Sequence, residues 1–218
     1  MTESDPTLTL TFDNGPTPGV TEAVLDELRS RGLRATFFVV GQDFVDPARR
    51  DLVLRARDEG HWIGNHTTTH GIPLGRRADP AVEVGEIALT DEALSDAAGG
   101  RKLFRPNGAG SMGPHLLSPA ALQYLIERRY TVVLWDVYVR DPHEPDLWVD
   151  RALAELPKRA DNVLVTHDVP TGAMVHLPRF LDTVQDLGIR IVQEIPVHAT
   201  PLREGVVVGD IDAICGTS

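Results

Sequence analysis

Cysteine is nearly absent: the 218-residue chain has one, Cys215. That excludes an intramolecular disulfide framework and any cysteine-rich zinc module. Cys215 lies in an expected flexible tail and has no catalytic partner in sequence. No run approaches ~18 uninterrupted apolar residues, so no transmembrane helix is expected. The N-terminus, M-T-E-S-D-P, lacks the basic and apolar regions of a signal peptide, and a cytoplasmic location is the expectation. Basic residues are outnumbered, 21 against 32 acidic, a net charge of −11. Such a surface repels phosphate backbones, which argues against nucleic acid and anionic membrane as partners. There is no internal repeat, low-complexity run or linker. A phosphate loop, G-x-G-x-x-G and G-x-S-x-G are missing too, which disfavours nucleotide-dependent and serine-hydrolase chemistry. What remains is ordinary globular usage, 42% hydrophobic and 24% charged, expected as one domain over residues 1–218.

Short apolar runs alternate with longer amphipathic ones. Residues 7–12 (T-L-T-L-T-F) alternate with period two and are expected as a strand. After the turn D-N-G-P-T-P-G a helix is expected, with Thr17 as N-cap, Pro18 in the first turn, and Val20, Val24, Leu25 and Leu28 as its apolar stripe. Gly32 ends it. Strands are expected at 35–40, 61–64, 102–104, 131–135, 162–166, 189–192 and 206–208. Helices are expected at 47–58, 80–98, 119–128, 148–156 and 174–187. This alternation predicts βα units around a parallel sheet or barrel.

Titratable and polar residues sit immediately after the expected strands: Asp13 and Asn14, then His66 and His70, Arg105, Asp136 and Asp141, and finally His167 and Asp168. In a parallel barrel all strand C-termini open on one face, so these segments would converge on one mouth. The H-T-T-T-H spacing puts His66 and His70 on one side of a single helical turn, where two neutral imidazoles can share a divalent metal, zinc first, given a third ligand. The same spacing also suits a plain hydrogen-bonded loop. Asp13 reads as ligand, general base or simple turn residue. His167 suits proton donation to a leaving amine, or a surface role. Arg105 can bind a carboxylate, Asp13 or the substrate's, or form a surface ion pair. Asp136 and Asp141 can orient Arg105 or His167, or be solvated loop acids. Trp135 can line a pocket or fill core. His61, His115, His143, His176 and His198 have no spacing that argues for ligation.

Five motifs in order carry a family resemblance. T-F-D-N-G-P (Thr11 to Pro16), H-T-T-T-H (His66 to His70), F-R-P-N-G (Phe104 to Gly108), L-W-D-V-Y-V-R-D (Leu134 to Asp141) and L-V-T-H-D (Leu164 to Asp168) resemble those of the polysaccharide deacetylase superfamily, the NodB-homology domain of carbohydrate esterase family 4. The resemblance implies an α/β fold, a deformed (β/α) barrel of about seven units. It implies hydrolysis of a non-peptide carbon–nitrogen bond, commonly N-acetyl removal from an amino sugar, with a saccharide or small amide as partner. By the same resemblance Asp13 is the general base, His167 the general acid, and Arg105 steadies the base. His66 and His70 hold a divalent metal with the residue at 14, Asp141 belongs to the catalytic set, and Gly108 can supply the N–H that the family's tyrosine gives the oxyanion; Trp135 is the candidate aromatic for the substrate pocket. Three positions depart from the pattern. Asn14 replaces a metal-ligating aspartate and brings no charge, which weakens or removes the metal. Asn107, Gly108 and Ala109 stand in place of Pro, Tyr and Gly. Pro142 follows Asp141 where tryptophan is usual. Two alternative readings follow: a metal-independent ring-opening amidohydrolase like the family's cyclic imide hydrolase and allantoinase, and an inactive barrel that binds a carbohydrate or metabolite. A homodimer is left open.

Overall fold

The computed structural model describes residues 6–216. In chain order the strands and helices are β1 (Thr7–Asp13), α1 (Thr21–Ser30), β2 (Thr36–Val39), α2 (Pro47–Asp58), β3 (Trp62–Asn65), α3 (Pro80–Ala93), β4 (Leu103–Phe104), α4 (Pro119–Glu127), β5 (Thr131–Val132), β6 (Val137–Tyr138), α5 (Trp148–Glu155), β7 (Asp161–His167), α6 (Leu177–Asp186) and β8 (Arg190–Val192), followed by a small hairpin, β9 (Leu202–Arg203) and β10 (Val206–Val207). The main sheet is parallel and runs β5-β4-β3-β2-β1-β7-β6, with β8 also on β1. It is the deformed (β/α) barrel expected from the motifs.

The deformation has two sources. One edge of β1 pairs along its whole length with β7. The other edge is shared: β8 takes Thr7 to Thr9 and β2 takes Thr11 to Asp13. Gln193 bridges this split, its Nε2 donating to the carbonyls of Ala35 and Gly60 at 3.0 Å. The second source is the opening between β5 and β6, which do not pair with each other. There the Leu134 N–H leaves the sheet for the Ala199 carbonyl. The expected strand 131–135 therefore stops at Val132. The carbonyls of Val133 and Leu134 accept from the Arg105 side chain instead of a neighbouring strand.

Alternation along β1 decides what faces where. Leu8, Leu10 and Phe12 pack under the helices with α1's Val24, Leu25 and Leu28 and α6's Phe180 and Leu181. Thr9 and Thr11 lie on the other face, beside Val163 and Val165, their β7 partners, which form an inner cluster with Phe38, Val133 and Trp135. The two threonine hydroxyls are satisfied by main-chain carbonyls, Thr9 Oγ1 on Glu194 at 2.5 Å and Thr11 Oγ1 on Leu164 at 2.6 Å. A one-residue slip would send every apolar side chain to the wrong face, so burial pins the register.

Three helices start on a capping residue followed by proline: Asp46-Pro47, Asp79-Pro80 and Ser118-Pro119. Each cap side chain accepts a main-chain N–H from the first turn. The first helix departs from the expectation. Thr17 does not cap it; Val20 and Thr21 donate to the Thr17 carbonyl in a separate turn, and α1 begins at Thr21. The expected helix 80–98 ends at Ala93, and that at 174–187 begins at Leu177 after a 3-10 turn. The segment around Cys215 is no loose tail. Ile214 is buried in the cluster around α4, and the Leu117 N–H donates to its carbonyl at 3.0 Å. No helix among the described residues is long and apolar enough to cross a membrane.

Candidate active site

Counting in twos along β1 from Thr9 and Thr11 reaches Asp13; counting in twos along β7 from Val163 and Val165 reaches His167. These two residues are direct register partners at the strand ends. Side chains opposite one another in a parallel ladder point to the same face. Asp13 and His167 therefore stand side by side at the barrel mouth, although far apart in sequence.

Each has its own holder. Arg105 follows β4 and is fully buried; its Nη1 donates to Asp13 Oδ1 at 2.8 Å and to Thr11 Oγ1 at 2.7 Å, while Nε and Nη2 reach the carbonyls of Val133 and Leu134 at 3.2 and 3.1 Å. Its guanidinium lies 4.2 Å from the Phe38 ring centroid. Burial pushes the Asp13 carboxyl up, but the charge of Arg105, then His66 and His167, and the Arg105 hydrogen bond together hold it below its ordinary 3.8. His167 donates from Nδ1 to Asp141 Oδ1 at 2.9 Å, and its main-chain N–H donates to Asp141 Oδ2 at 2.8 Å. Burial lowers the pKa of this imidazole; the hydrogen bond and charge of Asp141, followed by Asp13 and Asp168, outweigh that and raise it above 6.5. Asp141 is the orienting acid. Asp136 is not: its carboxylate takes the Val163 N–H and His198 Nε2.

The histidine pair is brought together differently from the sequence expectation. Residues 66–70 form no helical turn; Thr67 and His70 have φ of 67° and 50°, which breaks any helix. The rings still meet, with centroids 4.7 Å apart. His66 donates from Nδ1 to the Arg105 carbonyl at 2.8 Å, leaving the Nε2 lone pair free, 3.5 Å from Asp13 Oδ2. Burial lowers the pKa of both imidazoles, that of His66 to about 4, so both are neutral at pH 7 and His66 carries charge only in the acid range where Asp13 titrates.

Asn14 sits beside them with φ 69°, and its Oδ1 is buried without a hydrogen-bond partner. An amide oxygen without a partner, on a residue that lines the same cavity as the two imidazoles, completes a fitting donor set for a divalent cation. No three His, Cys, Asp or Glu side chains gather as a cation cluster among the described residues. The third donor in this group is instead an uncharged amide.

Asp13, Asn14, His66, His70, Gly108, Trp135 and His167 line one cavity of about 290 Å³. Tyr138, Pro142, His143 and Val165 also line its wall; Tyr138 and Val165 fall inside two of the motifs without a role of their own there, and Pro142 is a departure from the family. Tyr138 comes from β6, a strand with no periodic signal of its own. Gly108 is bare for a reason: a Cβ there would lie 2.5 Å from the Trp135 indole. Asn107 clamps the same loop, with Nδ2 donating to the carbonyls of His70 and Gly71 and Oδ1 accepting from the Ala109 N–H. Asp168 lies behind the mouth, fully buried, accepting from Thr21 Oγ1 at 2.5 Å. Any side chain at Gly15 would overlap its carboxyl, so the D-N-G turn rests directly on it. Burial drives the Asp168 pKa up to about 6.

The family model for polysaccharide deacetylase matches residues 1–124, which carry Asp13, His66, His70 and Arg105. The chain belongs to the polysaccharide deacetylase family. It is similar to a chitooligosaccharide deacetylase of Rhizobium leguminosarum bv. trifolii, 33% identical over 166 residues, covering 75% of this chain and 72% of the relative. It is also similar to a peptidoglycan-N-acetylmuramic acid deacetylase of Bacillus subtilis, 26% identical over 85% of this chain, although only 37% of that longer protein is spanned. Among solved structures, the family 4 carbohydrate esterase of Streptomyces lividans in complex with acetate superposes with a TM-score of 0.72 and 31% identity, over 94% of this chain and 97% of that one. That overlap extends the likeness past residue 124 to the part of the deacetylase fold that holds Asp141 and His167. Deacetylases of this family are amide hydrolases, and so is this enzyme.

Proposed function

We propose that this deacetylase removes the N-acetyl group from an amino-sugar saccharide, with help from a divalent cation held by His66, His70 and Asn14. The observation that carries the reading is the pairing of Asp13 with His167 across one ladder, each fixed by a buried partner of opposite charge, above a cavity with an orphaned amide oxygen. The chemistry supplied by a bound cation is polarisation of the amide carbonyl and acidification of a water. Asp13, kept ionised by Arg105, takes the proton of the attacking water. The Gly108 N–H stabilises the developing oxyanion from the opposite wall. His167, protonated and turned by Asp141, gives its Nε2 proton to the departing nitrogen. Trp135 and Tyr138 supply flat apolar surface for a sugar ring.

A second reading is favoured by Asn14 alone. A neutral third donor suits a hydrolase that works without a cation and opens a cyclic amide. Acetate release from penta-N-acetylchitopentaose, measured with zinc or cobalt added and after chelation, tests the first reading. Cation-dependent release is expected. No release under any condition, together with opening of a cyclic imide such as succinimide after chelation, would replace it with the second.

A further inference from the structure

The segment from His66 to His70 has no regular hydrogen-bonding pattern of its own. The Gly41 and Gln42 N–H groups hold one side of it, donating to the Thr67 and Thr68 carbonyls at 2.9 Å, and α3 braces the other, chiefly through Glu86. This side chain is 7% exposed and lies outside the cavity wall. Its Oε2 accepts the consecutive main-chain N–H groups of Thr68 and Thr69 at 3.1 and 2.9 Å. Its Oε1 accepts Thr69 Oγ1 at 2.7 Å and Arg77 Nη2 at 3.0 Å. The main-chain carbonyl of the same residue accepts Thr68 Oγ1 at 3.1 Å. Two successive N–H groups aimed at one oxygen form a small anion cradle, and a carboxylate fills it with charge-assisted bonds. The arch so formed carries the unusual φ of Thr67 at one end and of His70 at the other.

We propose that Glu86 is a positioning residue that sets the separation of the two imidazoles, and through it the cation affinity of the pair. This rests on the reading that His66 and His70 hold a divalent cation. Glu86 touches neither cation nor substrate. It braces the arch without a cation, so the ligands need little ordering when one arrives. Partners one shell out from a metal typically change affinity by about 10–100-fold when removed. Nothing in the local sequence signals this, because Glu86 lies well beyond His70 and sits on a different element.

The test compares zinc binding to the metal-free protein by calorimetry with amide hydrogen exchange at Thr68 and Thr69. Glu86→Ala is expected to weaken zinc by about 10–100-fold and to accelerate exchange at those two amides by about 10-fold or more. Protection of Val163 and Val165 in β7 should stay unchanged. Glu86→Gln retains one carbonyl oxygen for the two N–H groups and is expected to recover most of the zinc affinity. Should Glu86→Ala not fold, Glu86→Asp carries the test, since it withdraws the carboxylate by one methylene and should reproduce both losses. Unchanged zinc affinity in a variant whose Thr68 and Thr69 amides exchange faster would overturn the proposal. So would protection lost evenly across the sheet, which marks a merely structural residue. Failure of the unaltered protein to bind zinc would instead remove the cation reading, and the exchange data would still decide whether Glu86 shapes the arch.

Discussion

The two halves of the site are built by different means. Asp13 and His167 are delivered by a strand ladder: seven consecutive register pairs of β1 and β7 lead to them, and their direction follows from counting in twos. The His66–His70 arch and the Asn14 turn depend on side-chain supports, Glu86 beside two main-chain bonds from Gly41 and Gln42 for the first and Asp168 for the second, with positive φ at Asn14, Thr67 and His70. A ladder distributes its geometry over many main-chain bonds, so one substitution leaves it standing. An arch with few main-chain bonds leans more heavily on the side chains that brace it, Glu86 and Asn107. Chemistry-bearing groups on the ladder should therefore be removable without loss of the fold, whereas the arch and turn should respond to changes in their supports.

The largest contrast is expected on the ladder. Asp13→Ala and His167→Ala should each lower kcat/KM by about 10²–10⁴-fold, the usual worth of a positioned acid or base. Circular dichroism should keep the native signature in both, with β7 amide protection native-like in His167→Ala and reduced in Asp13→Ala, which leaves the buried Arg105 charge unpaired. Near-native activity in either variant would contradict the assigned roles. Arg105 is where the halves meet, since its side chain holds Asp13 and its carbonyl holds His66. Arg105→Ala leaves the Asp13 carboxylate buried and unpaired, and should cost about 3–5 kcal/mol of stability in chemical denaturation. A loss below about 1 kcal/mol would mean that Asp13 finds another partner.

On the turn side, Asp168 is expected to lower stability at neutral pH. Its pKa is about 6 in the folded chain, against 3.8 for an ordinary aspartate. The folded state thus binds the proton more tightly than the unfolded chain. Its contribution is fully present below pH 3.8 and is lost as pH rises through 6, a difference of about 3 kcal/mol. Asp168→Asn should remove that part of the pH dependence, read as a flatter stability curve between about pH 4 and 7 than the unaltered protein gives. An identical slope would show that the carboxyl is ionised without penalty. Asn14→Asp adds charge to the donor set and should tighten zinc by roughly ten-fold, as ligand charge does at oxygen-rich cation sites. Unaltered affinity would place Asn14 outside that set.

The smallest effect concerns the pH profile. On the proposed roles, turnover needs Asp13 ionised, with its pKa held below 3.8, and His167 protonated, with its pKa held above 6.5. Activity should therefore fall as pH rises past the His167 pKa. Asp141→Asn removes the carboxylate that raises this pKa, so the alkaline limb should move to lower pH. A limb that stays in place would assign it to another group.

Local patterns told a good part of this in advance. The T-L-T-L-T-F alternation announces β1, and the helices expected at 47–58, 80–98 and 119–128 begin where α2, α3 and α4 do. Reactive residues clustered after strand ends point to one mouth. Other features were illegible because they depend on groups far away in sequence. Strand 131–135 is cut short because Arg105 takes the carbonyls of Val133 and Leu134. Residues 66–70 look helical by spacing, yet bonds to Gly41, Gln42 and Glu86 hold them as an arch. Trp135 explains the bare Gly108, and β6 brings in Tyr138.

The amino-acid order by itself determined the period of each element, the two faces of β1 and the residue types available for chemistry, because those follow from backbone geometry within a few residues. The tertiary structure alone decided which acid faces which base, which imidazole nitrogen keeps its lone pair and which carboxylates are pushed from their ordinary pKa. Those outcomes are set by burial and by charges that meet only when strands from opposite ends of the chain lie side by side.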